Sequence, residues 1–294
     1  MNGMVRTEHL SDIDLNLSVS IDNMLCMDTE ESDNDMFFGT AYASGSIRIR
    51  GEPSTLRFDI NAETDKNTRL FIPLSESTEV SEYDFVSFIR SDSSTIEEEN
   101  LLVEQRVDLS GIQMDFNLDV TPEAEVQIIF DPTMGDIIKA RGSGKMQLSI
   151  NTLGTFDMVG EYSIEKGDYL FTLQNVINKR LKIEPGSSLR WSGDPFNANI
   201  DVTAVYRTKA NTSDLFGTAE FEDEAGRVTV DCRIFLSGLL MSPSVAYDIY
   251  LPYAEDDIRN RVNSKIHSDE ELSKQFLSLM LMNRFIPLRE DRKS

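Results

Sequence analysis

Residues Lys145 to Arg207 read KMQLSINTLGTFDMVGEYSIEKGDYLFTLQNVINKRLKIEPGSSLRWSGDPFNANIDVTAVYR. Apolar and polar residues alternate here with a period of two, as where Met146, Leu148 and Ile150 are separated by polar residues. This period is typical of β-strands with one dry and one wet face. Gly, Asn, Asp and Pro interrupt the runs about every 8 to 12 residues, which predicts a meander rather than alternating strands and helices.

The same alternation recurs over most of the chain. It is strongest from Ser11 to Asp22, where five apolar residues share one face. Further runs cover residues 37–50, 56–62, 112–120, 126–130, 137–150, 227–239 and 244–251. Because long strands follow one another with short turns, the sequence predicts an all-β fold built on an elongated, strongly bent antiparallel sheet.

A sheet of this kind has little helix to cover its dry face, so we expect it to bend over that face as an open trough. A continuous apolar strip marks a binding surface. The predicted occupant is an acyl chain, because each buried CH₂ contributes about 0.8 kcal/mol and needs no directional chemistry. The predicted lining residues are Ile13, Leu15, Leu17, Val19, Met114, Phe116, Leu118, Met146, Leu148, Ile150, Phe156, Met158, Ile164, Phe171, Ile200 and Val202.

Composition narrows the possible partners. The net charge of −23 argues against nucleic acid and against a domain held by anionic headgroups, because both depend on Lys and Arg. Two cysteines, Cys26 and Cys232, do not make a disulfide framework, and the sequence leaves their pairing open. Cys232 is in phase with apolar neighbours, which predicts a buried thiol. No window is apolar enough for a membrane-spanning helix.

Candidate chemistry is sparse. His9 and His267 are isolated and lack metal-ligand spacing, so we expect no catalytic triad, no metal and no cofactor. Carboxylates are plentiful, which leaves a carbohydrate-active enzyme open as one alternative. Trp191 could stack on a sugar or pack at a strand end. The other alternative is a structural or adhesive β-sandwich module with a closed core.

The chain divides into two predicted parts. Residues 1–254 form the trough, with a solvated acidic insertion around residues 75–105. Residues 255–294 form a helical segment with a polar tail. Within it, Ser268 and Glu271 make a capping box that predicts a short amphipathic helix over roughly Asp269 to Arg284.

Several segments together resemble a known family. They are Gly160–Leu173, Ile183–Pro195, Ala198–Tyr206, Phe38–Gly45 and the turn Asp131–Asp136. In combination they are similar to the C-terminal domain of TamB, the translocation and assembly module subunit of the AsmA-like, bridge-like lipid transfer superfamily. The high content of acidic residues and the glycines between the strands resemble the Bacteroidetes branch of this family.

The resemblance implies a non-enzymatic factor of envelope biogenesis. Its β-taco trough would conduct phospholipid between the inner and outer membrane, or shield nascent outer-membrane β-strands. The implied partners are phospholipid acyl chains and an Omp85-type, TamA-like outer-membrane barrel. The implied location is a periplasmic segment of an inner-membrane-anchored protein. The family's anchor helix and final strands are missing from this sequence, which is therefore expected to be a fragment.

Overall fold

The fold is described by a computed structural model covering residues 2–7, 13–33, 37–52, 55–74, 111–131, 135–152, 155–173, 177–216 and 227–287. The predicted acidic insertion at residues 75–105 lies outside these ranges. So do the acidic stretch Glu220–Glu224 and the polar tail Arg289–Ser294.

Strands make up most of the described chain, and the predicted all-β class is confirmed. The first seven strands are β1 Asn2–Thr7, β2 Ile13–Thr29, β3 Phe38–Gly51, β4 Arg57–Thr64, β5 Arg69–Pro73, β6 Gln113–Val120 and β7 Glu125–Asp131. The remaining seven are β8 Asp136–Asn151, β9 Phe156–Leu173, β10 Ile177–Ile183, β11 Ser188–Gly193, β12 Asn199–Asn211, β13 Arg227–Leu239 and β14 Ser242–Tyr250.

Helices are few and short in the described ranges. They are α1 Ser213–Phe216, α2 Asp256–Lys265 and α3 Asp269–Met282, and a 3-10 turn covers Pro195–Asn197. The sequence predicts α3 and misses α2. The proposed division of the chain at residue 254 stays a prediction.

In the described part of the chain, all fourteen strands join one sheet in the order β1-β2-β3-β4-β6-β8-β9-β10-β12-β13-β14. Three pairs of strands follow each other end to end along a longer neighbour. β4 and β5 both pair with β3, β6 and β7 both pair with β8, and β10 and β11 both pair with β9.

Among the described strands, pairing is antiparallel except at one seam in the middle of the sheet. There β4 runs parallel to β6 and β5 runs parallel to β7, with Arg57 opposite Gln113 and Arg69 opposite Glu125. The seam separates an amino-terminal meander, β1 to β5, from a carboxy-terminal one, β6 to β14.

The sheet is strongly bent and partly closed. The rings of Phe37, just before β3, and Phe156, at the start of β9, lie 6.4 Å apart between centroids. On a flat sheet they would be roughly 40 Å apart, given about 3.3 Å per residue along a strand and about 4.8 Å between strands. Bending therefore brings opposite ends of the sheet together.

One face of the sheet is apolar, and its carboxy-terminal part is closed. Ile138, Leu181, Val202 and Ile234 are fully buried there, within one continuous cluster that includes residues of α2 and α3. Helix α3 packs on β14, where the rings of Phe276 and Tyr247 lie 4.7 Å apart. We call this cluster the closed core.

Candidate functional site

Two rows of apolar side chains cross the other part of the same face. Each row takes one residue from each of β2, β3, β4, β6, β8 and β9, paired across the strands. The first comprises Leu17, Ile49, Phe58, Met114, Ile150 and Phe156, and the second comprises Val19, Ile47, Ile60, Phe116, Leu148 and Met158. With six strands about 4.8 Å apart, each row is roughly 24 Å long. We call them the open rows.

Burial distinguishes the open rows from the closed core. All twelve side chains are half-buried, and none belongs to the buried cluster. Only Leu148 and Met158 pack against it from outside. The open rows thus form a contiguous apolar strip that the described residues do not cover completely.

The strip arises from the local sequence. Successive side chains of a strand point to opposite faces of the sheet, so the alternation places every second side chain in the strip. On the other face the intervening residues form polar ladders. Asn117 Nδ2 donates to Asn61 Oδ1 at 3.0 Å, and Ser149 Oγ donates to Asp115 Oδ1 at 2.6 Å.

A third row marks the border between the two parts. It runs through Ile21, Gly45, Ala62, Leu118, Met146, Gly160 and Trp191. Met146 is only 3% exposed. Beyond this row on β9, Tyr162 and Ile164 are buried as well.

The predicted lining residues fall into two groups. Leu15, Leu17, Val19, Met114, Phe116, Leu118, Leu148, Ile150, Phe156 and Met158 are half-buried, and all but Leu15 and Leu118 lie in the open rows. Met146, Ile164, Phe171, Ile200 and Val202 are members of the closed core. Ile13 pairs with Thr7, and its side chain is outside the described set. A role of these residues in lining a lipid groove stays a prediction.

Four residues of the open rows are absent from that predicted set. They are Ile47, Ile49, Phe58 and Ile60, on β3 and β4. Their alternation with Arg48, Asp59 and other polar residues was sufficient to predict that they lie on the apolar face of their strands. Which strands neighbour β2 could not be read from the alternation, so these residues could not be aligned with the rest.

The far end of the closed core is sealed by α3 and the chain that folds back after it. Gln275 is fully buried and forms three hydrogen bonds. Its Nε2 donates to Glu271 Oε1 at 2.7 Å and to the Ile286 carbonyl oxygen at 2.8 Å, and its Oε1 accepts from the Ile286 amide at 3.0 Å. Asn283 ends the helix in the left-handed conformation and accepts hydrogen bonds from Tyr206 and Thr208.

The carboxylates with shifted pKa values are held in their charged form. A hydrogen bond from Ser149, reinforced by Arg57, lowers the pKa of Asp115. Partial burial raises the pKa of Glu125, but hydrogen bonds from Gln127 and Arg141 outweigh burial and leave that pKa below its usual value. A catalytic acid of a glycosidase needs a raised pKa. Neither of these carboxylates fits that role, and nor does Glu270, whose pKa is lowered by a hydrogen bond from Lys274.

Other candidates for chemistry also have structural roles. Trp191 is 8% exposed and its Nε1 donates to the Pro195 carbonyl oxygen at 3.1 Å, so it packs at a strand end and presents no ring face to a sugar. Cys26 is exposed and Cys232 is buried, as predicted for the latter, and both are free thiols. The described residues contain no group of acids, cysteines and histidines arranged to hold a metal ion.

No helix in the described ranges has the length and apolar character needed to cross a membrane.

Comparison with known proteins identifies a family. A search of curated proteins found no match. The family model for the TamB C-terminal domain matches residues 1–291. The Bacteroidetes assignment stays a prediction. The match spans nearly the whole chain, and the protein therefore belongs to the TamB C-terminal domain family.

Proposed function

We propose that this chain is an envelope biogenesis factor whose open rows hold the acyl chains of phospholipids in transit between the inner and outer membrane. The observation that carries the proposal is the half-buried strip of twelve apolar side chains, which continues across six strands. A contiguous apolar strip that is left partly uncovered is characteristic of a binding surface.

The family gives the setting. TamB proteins belong to the translocation and assembly module and act in the assembly of the outer membrane, without enzymatic activity. They are envelope-associated and work with an Omp85-type partner, TamA. As part of the proposal, this chain is a periplasmic segment of an inner-membrane-anchored protein and acts with a TamA-like barrel.

Energetics support an acyl chain as occupant. Removing a chain of about 16 carbons from a bilayer into water costs roughly 12 kcal/mol, at about 0.8 kcal/mol for each CH₂. Contact with Leu, Ile, Val, Phe and Met side chains offsets much of this cost. The open rows contain no polar side chain, so contact would be equally favourable at successive positions and the lipid could slide along them.

The experiment compares two substitutions of the same chemistry on opposite faces of the sheet. Phe116→Glu places a carboxylate in the second open row. Val159→Glu places one on the outer face, next in sequence to Met158, at a side chain that is already 48% exposed. Native mass spectrometry then measures phospholipid retained by each purified protein.

We expect phospholipid on the wild type and on Val159→Glu, and several-fold less on Phe116→Glu. Circular dichroism melts confirm that each variant is folded. If folded Phe116→Glu retains as much lipid as the wild type, the open rows are not the lipid site.

A closed structural or adhesive module remains the second candidate, because the closed core has the sealed interior that such a module requires. A wild-type protein that purifies without lipid and does not take it up from vesicles would favour this candidate. Photo-crosslinking at Phe116 separates lipid from the other possible cargo. Adducts with nascent outer-membrane strands instead of lipid would favour a shielding role.

A further inference from the structure

The outer face of the sheet carries a cleft of about 340 Å³ over β7, β8, β9 and β10. Its charged lining residues are Lys139, Arg141, Lys166, Lys182, Glu125, Glu165 and Asp168. Cations therefore outnumber acids here, in a chain whose net charge is −23. The cleft lies opposite the apolar face, because Lys139 alternates with the buried residues Ile138 and Ala140.

The three acids of the cleft already have partners. Glu125 accepts from Arg69 at 3.3 Å and from Arg141 at 3.2 Å. Asp168 accepts from Lys182 Nζ at 2.6 Å, and Glu165 accepts from Ser143 Oγ at 3.0 Å. The ion pairs and hydrogen bonds of these acids are thus formed with groups other than Lys139.

Two ammonium groups are left over. Within the described ranges, neither Lys139 nor Lys166 forms an ion pair or a hydrogen bond through its side chain, although Lys139 is half-buried. Lys139 stands in one cross-strand row with Asp168 and Lys182. Asp168 lies directly opposite Lys139 but is bonded to Lys182, so the Lys139 ammonium has no direct ion-pair partner in the described ranges.

A β-bulge shapes the rim of the cleft. Gly142 pairs with Ile164 and Arg141 pairs with Lys166, so Glu165 is the extra residue of β9. As a result, Glu165 and Lys166 are both exposed at consecutive positions, where regular alternation would direct only one of them outward. Bulges of this kind re-aim side chains and are over-represented next to functional sites.

We propose that this cleft binds a phosphate group, with the two lysines unpaired in the described ranges, Lys139 and Lys166, as its ligands. Lysine can bind phosphate because each ammonium is a point charge with three donors. The arginine of the cleft is already engaged, since Arg141 donates to Glu125 and to the Glu123 carbonyl oxygen at 2.7 Å. The site is separate from the open rows and does not depend on lipid binding there.

The test titrates the whole protein with inorganic phosphate at constant ionic strength, balanced with sodium chloride, and follows the backbone amide of Gly167 by NMR. We expect saturable shifts. Lys139→Gln weakens binding about tenfold, as the loss of one charge-assisted hydrogen bond implies. Lys139→Arg keeps the positive charge and retains most of the wild-type affinity.

The matched control is Lys145→Gln, on the same strand and face. The Lys145 side chain is 90% exposed and lies 4.0 Å from Asp119, so its removal leaves the affinity unchanged. Shifts that do not saturate, that chloride alone reproduces, or that persist equally in Lys139→Gln overturn the proposal.

A second arm identifies the source of the phosphate. Cosedimentation compares vesicles of phosphatidylcholine alone with vesicles containing phosphatidylglycerol. Phosphate binding together with Lys139-dependent cosedimentation assigns the site to a lipid headgroup, and phosphate binding alone assigns it to a soluble phosphate compound. Cosedimentation without phosphate binding overturns the proposed site.

Discussion

Gly39 shows how closely β3 and β5 approach each other. Its φ is +127°, and a methyl group there would overlap the Arg69 carbonyl oxygen. Gly186 also has a positive φ, +94°, but a methyl group there would meet nothing. The two glycines therefore separate the cost of backbone strain from the cost of a steric overlap.

We predict that Gly186→Ala lowers the free energy of unfolding by about 1 kcal/mol, and that Gly39→Ala lowers it by about 3 kcal/mol or more. Urea unfolding measures both values. Equal losses in the two variants would show that β3 moves away from β5 at little cost.

The two thiols differ in reactivity for a physical reason. Burial, with the charges of Asp231 and Asp248, raises the pKa of the Cys232 thiol to about 12. Cys26 is exposed. Because only the thiolate reacts, we predict that iodoacetamide at pH 8 adds to Cys26 alone in the folded protein and to both thiols in urea. Intact-mass measurement counts the adducts, and two adducts on the folded protein would contradict the burial of Cys232.

At the scale of elements, α3 is attached to the sheet through the chain that follows it. We predict that Gln275→Ala frees this chain, because the substitution removes the three hydrogen bonds to Glu271 and Ile286. Hydrogen exchange at the Ile286 amide becomes faster, and the free energy of unfolding falls by about 3 kcal/mol. The control is Lys274→Ala on the exposed side of the helix, which leaves exchange at Ile286 unchanged. Equal exchange in both variants would mean that Phe285, not Gln275, holds the segment.

The elements show what the sequence could and could not predict. The start of α3 was predictable from its cap, since Ser268 Oγ accepts from the Glu271 amide at 3.2 Å. Helix α2 was not, because Val262 is its one fully buried residue and no apolar period marks it. Strand β2 runs on to Thr29, past the predicted Asp22, because bulges near Asn23 and Cys26 break the period of two without ending the strand.

At the scale of the whole molecule, the two parts of the apolar face differ in burial. Leu181 in the closed core is 0% exposed, whereas Phe116 in the open rows is half-buried. We predict that Leu181→Ala costs about 3 to 4 kcal/mol and that Phe116→Ala costs only about 1 to 2 kcal/mol, although phenylalanine is larger. Urea unfolding at constant pH gives both values. A greater loss for Phe116→Ala would place that residue inside a closed interior.

The division of the face into two parts could not be read from the alternation. A period of two assigns each side chain to a face, but it does not say which strands are neighbours or what covers them. The side chains of Ile164 and Phe156 lie on the same face of β9, yet only Ile164 is buried. The difference depends on the curvature of the sheet and on the packing of α3, which are tertiary properties.

The parallel seam has a consequence for how the chain folds. Most strands pair with partners close in sequence, whereas Arg57 pairs with Gln113 across a long interval. Bringing such distant partners together costs loop-closure entropy before any pairing energy is gained, and non-local pairing slows folding. The meanders on either side can therefore form independently and dock last along β4–β6 and β5–β7. During that interval the chain consists of two half-sheets with unpaired edges, which makes it prone to aggregation until the halves join.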